Sequence, residues 1–80
     1  MERLRTSNKV VGLKQSKKAI ESDLVALAYV ARDADMHVVF PFEGLCKNKG
    51  IEIVYVNNMK ELGKYCGVEV PTAVAVILND

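Results

Sequence analysis

Apolar and polar positions change period several times along this chain. Residues 24–31 read Leu-Val-Ala-Leu-Ala-Tyr-Val-Ala, an unbroken apolar run that predicts a strand buried on both faces. Residues 51–56 (Ile-Glu-Ile-Val-Tyr-Val) and 73–78 (Ala-Val-Ala-Val-Ile-Leu) predict two more strands. The segments between them have helical spacing. Residues 15–21 carry a small apolar stripe at Ala19 and Ile20. Residues 36–49 repeat apolar side chains at Val39, Phe40, Leu45 and Cys46 and run into Gly50, a helix stop signal. Pro41 predicts that this helix starts near Val38 or Val39, so that its ring falls in the first turns, where a missing N–H costs little. Asn57 or Asn58 is expected to cap a further helix through Tyr65, ended by Gly67. Residues 2–8 predict a helical turn or two with Leu4 facing inward, and Val10-Val11-Gly12 a short extended piece. Strands alternating with helices call for an α/β fold, a three-layer α/β/α sandwich on a mixed sheet of about four strands.

With 80 residues, the chain is expected to form a single domain over residues 1–80, without clefts between domains. A hydrophobic share of 50% against 26% charged suits a globular chain with one core. The net charge of +1 argues at first against a general nucleic-acid binder. Its distribution changes that picture. Residues 1–20 set six basic side chains against the single acid Glu2, a charge of +5, while residues 21–80 carry −4. Cys46 and Cys66 form no Cys-x-x-Cys pair and read as buried thiols of a reducing compartment. The polar opening residues and the shortness of the apolar runs predict neither secretion nor a membrane span, and a cytoplasmic location.

Little in the chain supports catalysis. His37 is the only histidine, with no nucleophile beside it, and reads as a surface or capping residue. One histidine and two distant cysteines do not make a zinc site, and no Walker or Gly-x-Gly-x-x-Gly loop is present. Asp33 and Asp35 follow a strand, where they are more often turn formers than a catalytic pair. The chain is therefore read as a non-enzyme, with no catalytic residue, cofactor or metal.

The stronger constellation is Gly12-Leu13-Lys14-Gln15-Ser16-Lys17-Lys18. A glycine turn feeds a helix start, and Lys14 and Lys18 share one face at i and i+4 with Gln15 beside them. Free N–H groups at a helix start favour phosphate. Lysine and glutamine can read purine edges. The plain alternative is a solvated helix start. A second feature is Val68-Glu69-Val70-Pro71, two valines in an expected surface loop, which need either a partner or a core contact.

Gly12-Leu13-Lys14-Gln15-Ser16-Lys17-Lys18-Ala19-Ile20 resembles the Gly-x-Asn-Glu-x-x-Lys-Ala-Leu motif of the kink-turn-binding ribosomal protein family, the L-seven-Ae family. Leu62-Gly63-Lys64-Tyr65-Cys66-Gly67-Val68-Glu69-Val70-Pro71 resembles that family's Leu-Gly-x-x-Cys-Gly-x-x-x-Pro motif. The likeness spans about residues 11–78 and is greatest to the short bacterial members of the YbxF type, which carry Lys-Gln in place of Asn-Glu. It implies binding to a kink-turn, a sharp bend in duplex RNA built on sheared G·A pairs, in ribosomal RNA or a riboswitch. The bend exposes purine edges that ordinary A-form RNA hides. On this resemblance the G·A pairs and nearby backbone would meet Lys14, Gln15 and Lys18, and Gly12 would let the backbone approach. Asp35 would meet a flipped-out base, an apolar helix position of the RNA-binding site falls on Val39, and Val68, Glu69 and Val70 would cover bulged bases. The expected partner is structured RNA, with the ribosome as one setting, and the expected state a monomer.

The chain departs from the family pattern in three places. Lys14 and Gln15 raise the charge of the reading face by +2 over Asn-Glu, which implies stronger phosphate attraction and less stringent base choice. Met36 stands where many members have Pro, and Val70 where some have Arg. The rival reading is a protein–protein module of the same fold, with the valine loop as its interface.

Overall fold

The last strand runs through the middle of the molecule. Val74, Ala75, Val76 and Ile77 are all essentially inaccessible, so this strand is covered on both faces. The computed structural model describes residues 8–79. In chain order these form β1 (Lys9–Val11), α1 (Leu13–Glu21), β2 (Val25–Ala31), α2 (Met36–Asn48), β3 (Ile53–Val56), α3 (Met59–Cys66) and β4 (Val74–Leu78). The turns expected over residues 2–8 lie outside the described residues except for Asn8, whose carbonyl accepts from the Leu78 N–H.

The sheet is mixed, in the order β1-β4-β2-β3. β4 pairs antiparallel with β1 on one side (Val10 opposite Val76) and with β2 on the other (Ala28 opposite Val76). β2 and β3 are parallel, with Val30 opposite Tyr55, and α2 supplies the crossover that parallel neighbours require. α1 and α2 pack against each other over one face, and α3 packs on β2, β3 and β4 from the other. The expected three-layer α/β/α sandwich on a four-stranded mixed sheet is the observed fold. Phe42, Ile20, Leu62, Ile77 and Val30 are the largest wholly buried side chains and fill the two interlayer spaces.

Hydrogen bonds explain where the elements differ from the sequence reading. The Leu24 N–H is taken by the Ala19 carbonyl, which closes α1, so β2 begins at Val25 and Leu24 stays 53% exposed. The ladder to β4 is irregular between Val25 and Leu27, and Ala26 faces solvent. Burial on both faces therefore holds only from Ala28 to Ala31. β3 starts at Ile53 because the Ile51 N–H turns back to the Cys46 carbonyl, while Gly50 N–H bonds Lys47. These two bonds form a Schellman closure of α2. Val68 N–H to the Gly63 carbonyl and Gly67 N–H to the Lys64 carbonyl close α3 in the same way.

α2 begins earlier than expected. Asp35 caps it by accepting from the His37 N–H at 2.8 Å, so the helix starts at Met36 and Pro41 sits in its second turn. The carbonyl that Pro41 cannot bond belongs to His37, and both residues face solvent, where water can serve it. The buried stripe of α2 is Val39, Phe42 and Cys46, at i, i+3 and i+7. Phe40, expected inside, is 67% exposed, and Phe42 takes the core position.

Candidate functional site

Gly12 joins β1 to α1 with φ 97° and ψ 155°, a backbone region that side-chain-bearing residues essentially do not enter. Its N–H bonds the Val74 carbonyl at 3.1 Å, which ties the start of α1 to the start of β4. A Cβ on Gly12 would meet nothing within 4 Å, so the space over this turn is open. No side chain caps α1, and its first turn holds no acid. The other two helices are capped. Asp35 serves α2, and Asn58 serves α3 by accepting from the Glu61 N–H at 2.8 Å. Asp33 adds a cap from a distant part of the chain, accepting from the Met59 N–H at 2.8 Å.

The free helix start carries the sequence-predicted cluster. Lys14, Gln15 and Lys18 are exposed. Ser16, Ala19 and Ile20 are buried beneath them and hold α1 on the sheet, and the Ser16 hydroxyl lies 3.5 Å from the Val10 carbonyl. An open hollow of about 410 Å³ lies along the outer face of α1, lined by Leu13, Lys14, Lys17, Lys18 and Glu21. The first turn thus combines donor N–H groups with flanking ammonium groups, an arrangement suited to anions.

Topology brings the other predicted residues to the same end of the sheet. There β1, β2 and β3 end and β4 begins. Ala31 N–H bonds the Ala73 carbonyl, Arg32 N–H bonds Val56, and Thr72 N–H bonds Met59. The turn holding Asp33 and Asp35, the start of α3 and the 68–71 loop are therefore hydrogen-bonded neighbours at this end. Asp35 is exposed. Val39 is 6% exposed and lines a cavity of about 240 Å³ together with Arg32, Ala34 and Met36. In the loop, Val68 is half-buried against the core while Glu69 and Val70 are exposed, Val70 by 65%. The two valines thus split the alternatives, one a core contact and one a free apolar side chain.

The sequence model of the ribosomal protein L7Ae/L30e/S12e/Gadd45 family matches residues 1–80. The chain belongs to this family. An RNA-binding protein of Caldanaerobacter subterraneus subsp. tengcongensis is 49% identical over 67 residues, which cover 84% of this chain and 82% of the relative. An RNA-binding protein of Bacillus pumilus is 41% identical over 69 residues, 86% of this chain and 84% of the relative. Among solved structures, the Giardia lamblia 15.5kD RNA binding protein superposes with a TM-score of 0.83 at 30% identity, over 90% of this chain and 61% of that one. The chain thus spans less than two thirds of the Giardia protein.

In this family member, several residues to which the resemblance assigns no RNA contact prove structural at the site. Gly63 is one: a Cβ there would sit 2.3 Å from the Val70 carbonyl oxygen, so the loop rests directly on the α3 backbone. The sequence signal for it was a glycine inside a helical pattern. Arg32 lies over the Tyr55 ring, 5.4 Å from its centre, and the Tyr55 hydroxyl donates to Glu43. That hydrogen bond is the main cause of the raised Tyr55 pKa. Burial, aided by the Glu43 charge, pushes the Cys46 thiol up to about 11. Burial also raises Cys66, against an opposing pull from the Lys9 ammonium. Both thiols are buried and free, so they are packing groups that hold little thiolate at neutral pH. Among the described residues no three His, Cys, Asp or Glu side chains gather as a metal site, and no helix is long and apolar enough to cross a membrane.

Proposed function

We propose that this protein binds structured RNA at a kink-turn and stabilises the bent form, acting as a cytoplasmic monomer on ribosomal RNA or a riboswitch. The observation that carries the reading is the start of α1. It is the one helix N-terminus among the described residues left without a side-chain cap, it is open above Gly12, and it is flanked by exposed Lys14, Gln15 and Lys18. Its N–H groups would take phosphate, and the three side chains would meet the purine edges of the sheared G·A pairs. The RNA-binding names of the relatives support the ligand class.

The surrounding end of the sheet suits the same ligand. The Asp35 cap uses Oδ1, which leaves Oδ2 for a flipped-out base. Val39 lines a cavity together with Ala34 and Met36, the chain neighbours of Asp35. Val70 and Glu69 project from the loop as a cover for bulged bases. The chemistry is shape selection: the kinked state makes contacts that the open state lacks, so binding shifts the population toward it.

A gel-shift titration tests the reading with a kink-turn RNA and a copy whose G·A pairs are replaced by Watson–Crick pairs. The native RNA is expected to bind and the replaced RNA to lose affinity. Lys14→Ala and Lys18→Ala should each weaken binding and reduce its salt dependence. Equal affinity for both RNAs overturns kink-turn recognition. A dimer without RNA affinity would favour a protein–protein module instead.

A further inference from the structure

The outer side of α3 faces the 68–71 loop across an open groove of about 440 Å³, lined by Lys60, Lys64, Val68, Glu69, Val70 and Pro71. Lys60 and Lys64 stand one helical turn apart, both exposed, and neither has an ion-pair partner among the described residues. Glu69 is the single carboxylate on the groove, so the lining carries a charge of +1. The apolar side is built rather than loose. The Val70 carbonyl rests on Gly63, Val68 N–H bonds the Gly63 carbonyl at 3.0 Å, and Thr72 N–H bonds Met59 at 3.0 Å. A groove with a cationic wall and a fixed apolar wall suits one strand of a polyanion that also carries flat apolar rings.

Its position specifies the partner further. The loop leads into β4, whose first residue Val74 holds Gly12 at the start of α1, yet α1 and α3 lie on opposite faces of the sheet. An RNA bent around the end of the sheet would present one arm to the α1 tip and the other to α3. We infer that Lys60 and Lys64, facing the Val68 to Pro71 loop across this groove, take the phosphates of one RNA strand on the far side of the bend. The protein then grips both arms of the RNA it binds. This rests on the RNA-binding reading above and assigns it a second surface. Because the lysines lie about 6 Å apart along the helix axis, they would meet neighbouring phosphates of the same strand. Contacts made to both arms exist only in the bent state, so this surface adds to the preference for that state.

The test uses the full chain and the Lys60→Ala/Lys64→Ala double variant. The probes are a fluorescent kink-turn RNA with two full arms and the same RNA with the strand on one arm shortened, each arm in turn. On the full RNA the double variant should bind about tenfold more weakly, with the slope of log affinity against log salt reduced by about 1.4 to 1.8. On one of the shortened RNAs wild type and variant should bind alike. Glu69→Gln should tighten binding to the full RNA. Unchanged affinity and slope in the double variant, while Lys14→Ala still weakens binding, overturns the second surface and leaves the first reading standing. An equal loss on every RNA also overturns it, since that marks a general loss of charge. If wild type binds no kink-turn RNA, the reading itself fails and this inference with it. Both lysines are exposed, and unchanged thermal unfolding of the variant verifies that the fold is intact.

Discussion

The carbonyl oxygen of Val70 occupies the space where a side chain on Gly63 would begin. A Cβ at Gly63 would lie 2.3 Å from that oxygen and 3.3 Å from the Val70 carbonyl carbon, both backbone atoms that cannot swing aside. Gly63→Ala should lift the loop from α3 and cost about 1–3 kcal/mol. Gly44 gives the contrast. It lies inside α2, and a Cβ there meets nothing within 4 Å. Gly44→Ala should therefore gain about 0.5–1 kcal/mol from helix propensity alone. Urea unfolding should place the two midpoints on opposite sides of wild type, and a midpoint for Gly63→Ala at or above wild type would refute the packing argument.

Gly12 is constrained by its backbone and not by its neighbours. Gly12→Ala meets no atom, yet it forces a side chain into φ 97°, ψ 155°. It should cost about 1–3 kcal/mol and tilt the entry to α1. Thermal unfolding measures the first effect. RNA affinity measured well below the melting point measures the second, which should exceed the loss seen in an equally destabilised core variant.

Asp33 caps a helix that begins twenty-six residues later in the chain, through its bond to the Met59 N–H. Asp33→Ala should cost about 1 kcal/mol, while Asp33→Asn, which keeps an acceptor, should cost less. Equal losses in the two variants would show that the cap oxygen contributes nothing.

Alkaline pH should weaken the fold through Cys46. Its thiol is raised from 9.0 to about 11 by burial and by Glu43, so the native state favours the neutral form. That contribution is complete below pH 9 and is lost as pH rises from 9 toward 11, on the order of 2 kcal/mol in all. Chemical unfolding at a series of pH values should show this fall, and Cys46→Ala should flatten it while lowering stability at neutral pH.

The sequence disclosed most of the fold because its strong signals are local. Gly50 and Gly67 end helices by Schellman closure wherever the pattern put them, and Asn58 caps the helix it precedes. The errors fell at element ends, where a hydrogen bond between near neighbours sets a boundary that apolar spacing leaves open. Leu24 left its strand because its N–H closes α1, and Pro41 moved inward because Asp35 caps one turn earlier than a proline rule suggests. Phe40 and Phe42 are both apolar, and only the packing of α2 on the sheet sends Phe42 inward and leaves Phe40 in solvent.

The candidate site divides in the same way. The composition of the α1 start, with Gly12 as hinge and Lys14, Gln15 and Lys18 on one face, is written in seven consecutive residues, because helical spacing and glycine's backbone freedom are properties of the local chain. What the tertiary structure decided is which distant segments share that end of the sheet. The turn with Asp35, the 68–71 loop and the lysines of α3 join it through hydrogen bonds between strand ends. Strand order sets those bonds, and strand order follows from burying β4 on both faces, a requirement of the whole core that no single segment of sequence expresses.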